Sequence, residues 1–257
     1  MQKRRLGSTS SFVSLIGLGT VKFGRNENVK YPHAFSLPSD QEIEYLLNQA
    51  QSYGINLLDT APAYGNSEER LGKLLQNHRH EWIISTKAGE EFINGQSYFD
   101  FSASAITKSI ERSLARLKTD YLDIVLIHSD GKDEQIIKEK DVFSTLAKLK
   151  QAGKIRAFGM STKTLAGGLL AVDLSDVAMV TYNTTDVTQR EVITHAHQQQ
   201  KGILIKKALG SGHLPVSQAL SFILKEPGVS SIILGTINPD HLLHNVNYIK
   251  LHLRKIT

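Results

Sequence analysis

No cysteine occurs in the 257-residue chain. That excludes disulfides, thiolate catalysis, and zinc or iron–sulfur centres held by cysteine. It also fits a reducing compartment, so a cytoplasmic location is expected. No apolar stretch approaches the roughly 18 residues that a bilayer crossing requires, and no membrane partner is expected. Lys3-Arg4-Arg5 does precede Phe12-Val13-Ser14-Leu15-Ile16, as the basic end of an export leader would. The apolar patch is short, however, lacks a small-residue cleavage site and runs straight into Gly17-Leu18-Gly19, which argues against a leader. Charge of one sign is also lacking. Thirty Lys and Arg face 25 Asp and Glu, for a net charge of +5. The basic residues are dispersed, with Lys3-Arg4-Arg5 the longest run, so no nucleic-acid partner is expected.

What the chain does have is alternation. Eight short apolar runs recur: Leu15–Gly19, Ile55–Asp59, Trp82–Lys87, Leu122–His128, Ile155–Ser161, Val177–Asn183, Ile203–Lys207 and Val229–Gly235. Near-continuous apolar character marks strands buried on both faces, which is the signature of a parallel sheet. Stretches of helical period lie between them. Residues 40–53 put Ile43, Leu46, Leu47 and Ala50 on one face, and residues 103–118 do the same with Ile106, Ile110, Leu114 and Leu117. Gly54 and Gly153 each stand where a left-handed helix C-cap belongs. Strand–helix units at a spacing of about 30 residues predict a closed (β/α)8 TIM barrel. An N-terminal β-hairpin precedes it, and a single domain spans residues 1–257. An open doubly wound sheet would want a third glycine after Gly17 and Gly19, but that position is Lys22.

In such a barrel the active site lies at the C-terminal ends of the strands. The second apolar run ends in Asp59, with Tyr64 in the loop beyond; the third ends in Lys87 and the fourth in His128. Each has an ordinary alternative taken alone. Asp59 could be a helix N-cap, Tyr64 a packed loop aromatic, Lys87 a solvated or Schiff-base lysine, and His128 a satisfied polar residue. Together they make one coherent chemistry. A phenol has a pKa of about 10, and a nearby ammonium lowers it. Asp59 can pair with Lys87 and keep that ammonium charged. His128 can hydrogen-bond the phenol or a substrate oxygen. Such a group of side chains can donate a proton to an oxygen becoming an alkoxide.

The segment Asp59-Thr60-Ala61-Pro62-Ala63-Tyr64-Gly65-Asn66-Ser67-Glu68 resembles the signature of aldo-keto reductases. So do Ile84-Ser85-Thr86-Lys87, Asp123–His128 and Gly17-Leu18-Gly19-Thr20, in matching order from about Arg5 to Asn245. The resemblance implies a barrel enzyme that reduces small-molecule carbonyls with NADP(H). Tyr64 would be the general acid, Asp59 and Lys87 would tune it, and His128 would orient the carbonyl. It implies cofactor contacts from Gly19, Thr20, Val21, Ser161, Lys207, Leu209, Ser211, Gly235, Thr236, Asn238, His241 and Asn245. No metal and no oligomeric partner is implied, and a monomer is expected.

Several positions depart from the family pattern. Where many members carry a lysine and an arginine for the 2′-phosphate, this chain has Gly235 and His241, which leaves NAD(H) open. Lys206 and Lys207 replace a nicotinamide-stacking tyrosine and a serine, and Ser161-Thr162 and Met179 stand where a Ser-Asn pair and a glutamine grip the carboxamide. These changes motivate an alternative: a nucleotide-binding regulatory or interaction protein on the same barrel, with little turnover. A Schiff-base lyase using Lys87 would leave Tyr64 unexplained. The loops after His128 and beyond Leu253 are short for the family, so an open mouth is expected, with Tyr98, Phe99 and Phe101 as an apolar rim. His78-Arg79-His80 and the pair His195 and His197 lack the spacing of a helical zinc pair and are expected on the solvated surface. The basic tail from Lys250 to Thr257 suits the negative end of a helix dipole.

Overall fold

A computed structural model describes residues 1–253. The last part of the basic tail, residues 254–257, lies outside the described residues. Two short strands, β1 (Lys3–Arg5) and β2 (Phe12–Ser14), pair antiparallel as the expected hairpin. Eight parallel strands then close on themselves. They are β3 (Ile16–Gly19), β4 (Leu57–Asp59), β5 (Ile83–Ala88), β8 (Leu122–His128), β9 (Ile155–Ser161), β10 (Val177–Thr181), β11 (Gly202–Lys206) and β12 (Ser231–Leu234). Neighbours in sequence are neighbours in the ring, and β12 returns to β3. A second hairpin, β6 (Glu90–Ile93) with β7 (Gln96–Phe99), projects directly after β5.

The outer layer comprises α1 (Val21–Gly24), α2 (Asp40–Ser52), α3 (Ser67–Leu74), α4 (Ala103–Arg116), α5 (Asp133–Glu139), α6 (Val142–Gln151), α7 (Leu165–Leu174), α8 (Arg190–Gln198), α9 (Val216–Ile223) and α10 (Pro239–Leu253). Local sequence sets their ends. Ser39 and Glu42 form a capping box at α2. Gly54 and Gly153 follow α2 and α6 at φ +81° and +75°, the left-handed conformation expected of them. The apolar face of α2 (Ile43, Leu46, Leu47, Ala50) packs into the layer between helices and sheet, as does that of α4.

A second, smaller cluster fills the barrel itself, with Leu57, Ile124, Leu126, Ala157, Val177, Met179 and Leu204 pointing inward. Leu6 and Val13 of the N-terminal hairpin join them from below. Leu6 lies against Gly202 at the start of β11, where a Cβ would come within 2.6 Å of its Cδ1. The hairpin therefore plugs the N-terminal end of the barrel and leaves the C-terminal end as the open mouth.

Two expectations about surface segments change. Tyr98, Phe99 and Phe101 do not ring the mouth as a loop. Tyr98 and Phe99 sit exposed on the β6–β7 hairpin, while Phe101 is buried against Gly89. Arg79 is not solvated either: it is buried and donates to Asp123 Oδ2 at 2.7 Å. Its neighbours His78 and His80 are exposed, and His195 on α8 meets Asp173 at 2.6 Å.

Candidate active site

Strand register brings the polar residues together. Inward and outward side chains alternate along a barrel strand, so residues paired across neighbouring strands face the same way. Asp59 is opposite Ser85, Lys87 opposite Leu126, and His128 opposite Ser161. Since Leu126 points into the barrel, Lys87 and His128 do too, and Asp59 shares the face of Ser85, two residues before Lys87. The same parity carries round the ring. Met179 pairs with Ser161 and with Leu204, so Lys206, two residues beyond Leu204, also faces inward.

The four side chains expected to carry chemistry meet in this mouth. Asp59 and Lys87 are almost wholly buried. Lys87 Nζ lies 2.9 and 2.8 Å from the two carboxylate oxygens of Asp59 and donates to Thr60 O at 2.8 Å. Every ammonium hydrogen thus has an acceptor. Ser85 Oγ also donates to Asp59, at 3.0 Å. Burial alone would lower the Lys87 pKa, but Asp59 and the Tyr64 phenol outweigh it and hold the ammonium above its ordinary range. Tyr64, in the turn between β4 and α3, presents its ring 4.7 Å from Lys87 Nζ. Its ring stands edge-on to His128, centroids 6.3 Å apart. Burial pushes the Tyr64 phenol up, and Lys87 only partly offsets it. The expected lowering by Lys87 is therefore present as one component, and the net direction is upward. Burial lowers His128.

A cavity of about 800 Å³ opens over these residues. Asp59, Tyr64, Lys87 and His128 line it, together with Gly19, Thr20, Val21, Ser161, Lys207, Leu209, Ser211, Gly235, Thr236, His241 and Asn245. Asn238 does not. Its Oδ1 accepts from the backbone N–H groups of Asp240 and His241 at 2.8 and 3.3 Å, which caps the first turn of α10. Those N–H groups are consequently occupied rather than free for a phosphate.

Several residues in or beside the cavity carried no readable signal. Gln189, in the loop before α8, accepts from Thr162 Oγ1 at 2.8 Å. Tyr31 lies under Lys22, 3.9 Å from Nζ to ring centroid. Glu90, on the second hairpin, reaches His128 at 2.6 Å. Asn94-Gly95 between two apolar-rich segments is the sequence signal for that hairpin, with both residues at positive φ.

The cavity suits an anionic dinucleotide. Lys22, Lys163, Lys206 and Lys207 line it, and beyond Asp59 the single acid against them is Asp186. Burial, then Lys30 and Lys163 nearby, lower Lys207, and none of the four lining lysines is ion-paired among the described residues. Uncompensated cations of this kind favour a phosphate-bearing ligand. Gly235 permits close approach to Tyr31, since a Cβ there would lie 3.0 Å from its hydroxyl.

Comparison with known proteins agrees with this fold. The sequence profile of the Aldo/keto reductase family matches residues 15–218. The crystal structure of PA4992 from Pseudomonas aeruginosa, described as an aldo-keto reductase, superposes with a TM-score of 0.91 at 50% identity, covering 98% of this chain and 95% of that one. The oxidoreductase YqkF of Bacillus subtilis is 29% identical over 96% of this chain and 90% of its own length. The NADH-specific methylglyoxal reductase of Escherichia coli is 27% identical over 94% of this chain and 72% of its own length.

Proposed function

The chain belongs to the aldo/keto reductase family of oxidoreductases, and from that premise we propose that it reduces an aldehyde or ketone to an alcohol, with Tyr64 as the proton donor. The nicotinamide dinucleotide used by the family supplies hydride when bound. The observation that carries the reading is the buried Asp59–Lys87 pair beside the Tyr64 ring.

Tyr64 is a protonated phenol at neutral pH because burial disfavours its anion. A carbonyl oxygen that gains electron density becomes a far stronger base and draws the phenolic proton. The phenolate left behind faces the Lys87 ammonium, which Asp59 keeps charged, so charge develops where a fixed cation already stands. His128 lies across the same space and orients the reacting oxygen. Gly19, Thr20, Val21, Ser161, Lys207, Leu209, Ser211, Gly235, Thr236, His241 and Asn245 would hold the dinucleotide. NADP(H) is the reading that the family resemblance favours. His241 and His244 also line the cavity, and neither offers the bidentate fork with which an arginine grips a phosphate. Use of NAD(H) is accordingly part of the proposal, and one relative bears an NADH-specific name.

The test is direct. NADPH and NADH are titrated by fluorescence, and cofactor oxidation is followed at 340 nm with a panel of aldehydes and ketones. Binding with turnover supports the reading. Binding without turnover on any carbonyl would favour a regulatory nucleotide-binding barrel, and binding of neither dinucleotide would refute both.

A further inference from the structure

Two barrel strands each send a lysine into the mouth, and only one of the two is closed off by the protein. Lys87 Nζ has three acceptors, the two oxygens of Asp59 and Thr60 O, which match the three hydrogens of an ammonium. Lys206, the last residue of β11, has two. Its Nζ donates to Ser161 Oγ at 2.8 Å and to Thr162 O at 2.7 Å, at the end of β9. Neither partner is a carboxylate. The register that turns Leu204 into the barrel turns Lys206 the same way, and its half-buried side chain lines the cavity beside Tyr64 and His128.

The count of partners matters because a neutral alkylamine has two N–H bonds and one lone pair. With its hydrogens on Ser161 Oγ and Thr162 O, the tetrahedral nitrogen of Lys206 keeps one position without a partner among the described residues. In the neutral form the lone pair occupies that position. The surroundings favour this form. Lys207, Lys163 from the loop after β9 and Lys87 from β5 face Lys206 with positive charge, and His128 on β8 shares its field. Asp133 on α5 is the acid that opposes them. Its Oδ2 is already taken up by the backbone N–H groups of Lys163 and Thr164, each at 2.7 Å. Burial, followed by Lys207, brings Lys206 to about 7, so amine and ammonium coexist at neutral pH.

We propose that Lys206 is a nucleophilic amine that condenses with an aldehyde bearing an anionic group, forming an imine in the barrel mouth. Lys163 and Lys207, which line the same cavity, supply the cations for that group. The Nζ lone pair adds to the carbonyl carbon, a C–N bond forms, and a proton passes from nitrogen to oxygen to give a carbinolamine. The second amine hydrogen then leaves with that hydroxyl as water, and a C=N bond remains. Nothing is oxidised or reduced. Lys87 has no lone pair to offer, since its ammonium is held above the ordinary range and all three hydrogens are engaged. The Schiff-base role open to Lys87 from its place in the sequence therefore falls to Lys206. The step needs neither a dinucleotide nor Tyr64, so it stands apart from the proposed reductase.

The test uses the whole protein without dinucleotide. It is incubated with succinic semialdehyde, or with butanal as the uncharged counterpart, and cyanoborohydride fixes any imine by delivering hydride to its carbon. Peptide mass mapping then reads each lysine separately. The expected product is a Lys206 peptide heavier by the aldehyde less one oxygen, formed faster with succinic semialdehyde than with butanal. An ordinary exposed lysine, titrating at about 10.4, holds about a thousandfold less free amine than Lys206 at pH 7 and about tenfold less at pH 9.5. The preference for Lys206 over exposed lysines should accordingly shrink about a hundredfold between those two pH values. Lys206→Arg keeps the positive charge, but its guanidinium stays protonated, so the adduct at this position should be lost. The map of the unsubstituted protein and its pH dependence decide the matter even where Lys206→Arg does not fold. Trapping at Lys206 no faster than at exposed lysines at pH 7, a preference unchanged by pH, or equal trapping of the two aldehydes would overturn the inference.

Discussion

Two inward-facing lysines in the same mouth have opposite electrostatic settings. Lys87 meets a carboxylate and is held above its ordinary range. Lys206 meets only neutral acceptors, Ser161 Oγ at 2.8 Å and Thr162 O at 2.7 Å, and burial followed by the nearby charge of Lys207 brings it to about 7. In the unfolded chain a lysine titrates near 10.4. Between about pH 7 and that value the unfolded chain binds the proton that folded Lys206 lacks, so Lys206 makes stability rise with pH across this window. Lys87 behaves oppositely: its stabilisation is fully present below the unfolded value and is lost as pH climbs through the higher folded one. Lys206→Met should therefore stabilise the protein more at pH 7 than at pH 9.5, measured as the difference from wild type in urea unfolding. Equal effects at the two pH values would show that Lys206 is not depressed. Asp59, Lys87 and His128 were legible because each ends an apolar run. Glu90 was not, because it follows β5 by a single glycine and looks like one more loop acid.

At the scale of elements, hydrophobic period carried most of the information. The eight barrel strands are buried on both faces, so their apolar runs stand out against amphipathic helices, and observed strands fall within or close to the expected runs. The β6–β7 hairpin is different. It buries little, and its alternation is weak, so the aromatic residues Tyr98, Phe99 and Phe101 suggested a rim rather than a turn. The Asn94-Gly95 pair was the better guide. Close packing between helices has a sharper consequence. Gly72 lies within α3 where an added Cβ would come 1.9 Å from Arg116 O and 2.8 Å from Leu117 Cα, both backbone atoms at the end of α4. Helix propensity alone predicts that Gly72→Ala stabilises by about 1 kcal/mol. Overpacking against backbone reverses the sign, and a loss of about 1–3 kcal/mol is expected in urea unfolding. A raised midpoint would mean that α3 and α4 are not in this contact.

For the molecule as a whole, barrel closure converts residues far apart in sequence into one site. Asp59, Tyr64, Lys87 and His128 come from three strands and a turn, and the lysine-lined extension comes from β11, the loop beyond it and the segments around β3 and β9. The plugged N-terminal end and the polar C-terminal mouth together leave a cavity of about 800 Å³ at which the phenol, the ammonium and the imidazole converge. The expected dinucleotide contacts were less legible than the candidate catalytic group because they depend on loop paths. Asn238 illustrates this, since its side chain caps α10 instead of lining the cavity.

In the proposed reduction Tyr64 delivers the proton, and Tyr64→Phe tests that role with one atom removed. Turnover of an aldehyde followed at 340 nm is compared with dinucleotide affinity from fluorescence titration on the same preparation. Loss of a general acid costs about 10²–10⁴-fold in kcat, and dinucleotide affinity should stay close to that of wild type. Turnover retained at wild-type rate in Tyr64→Phe would contradict the account and remove Tyr64 as the acid.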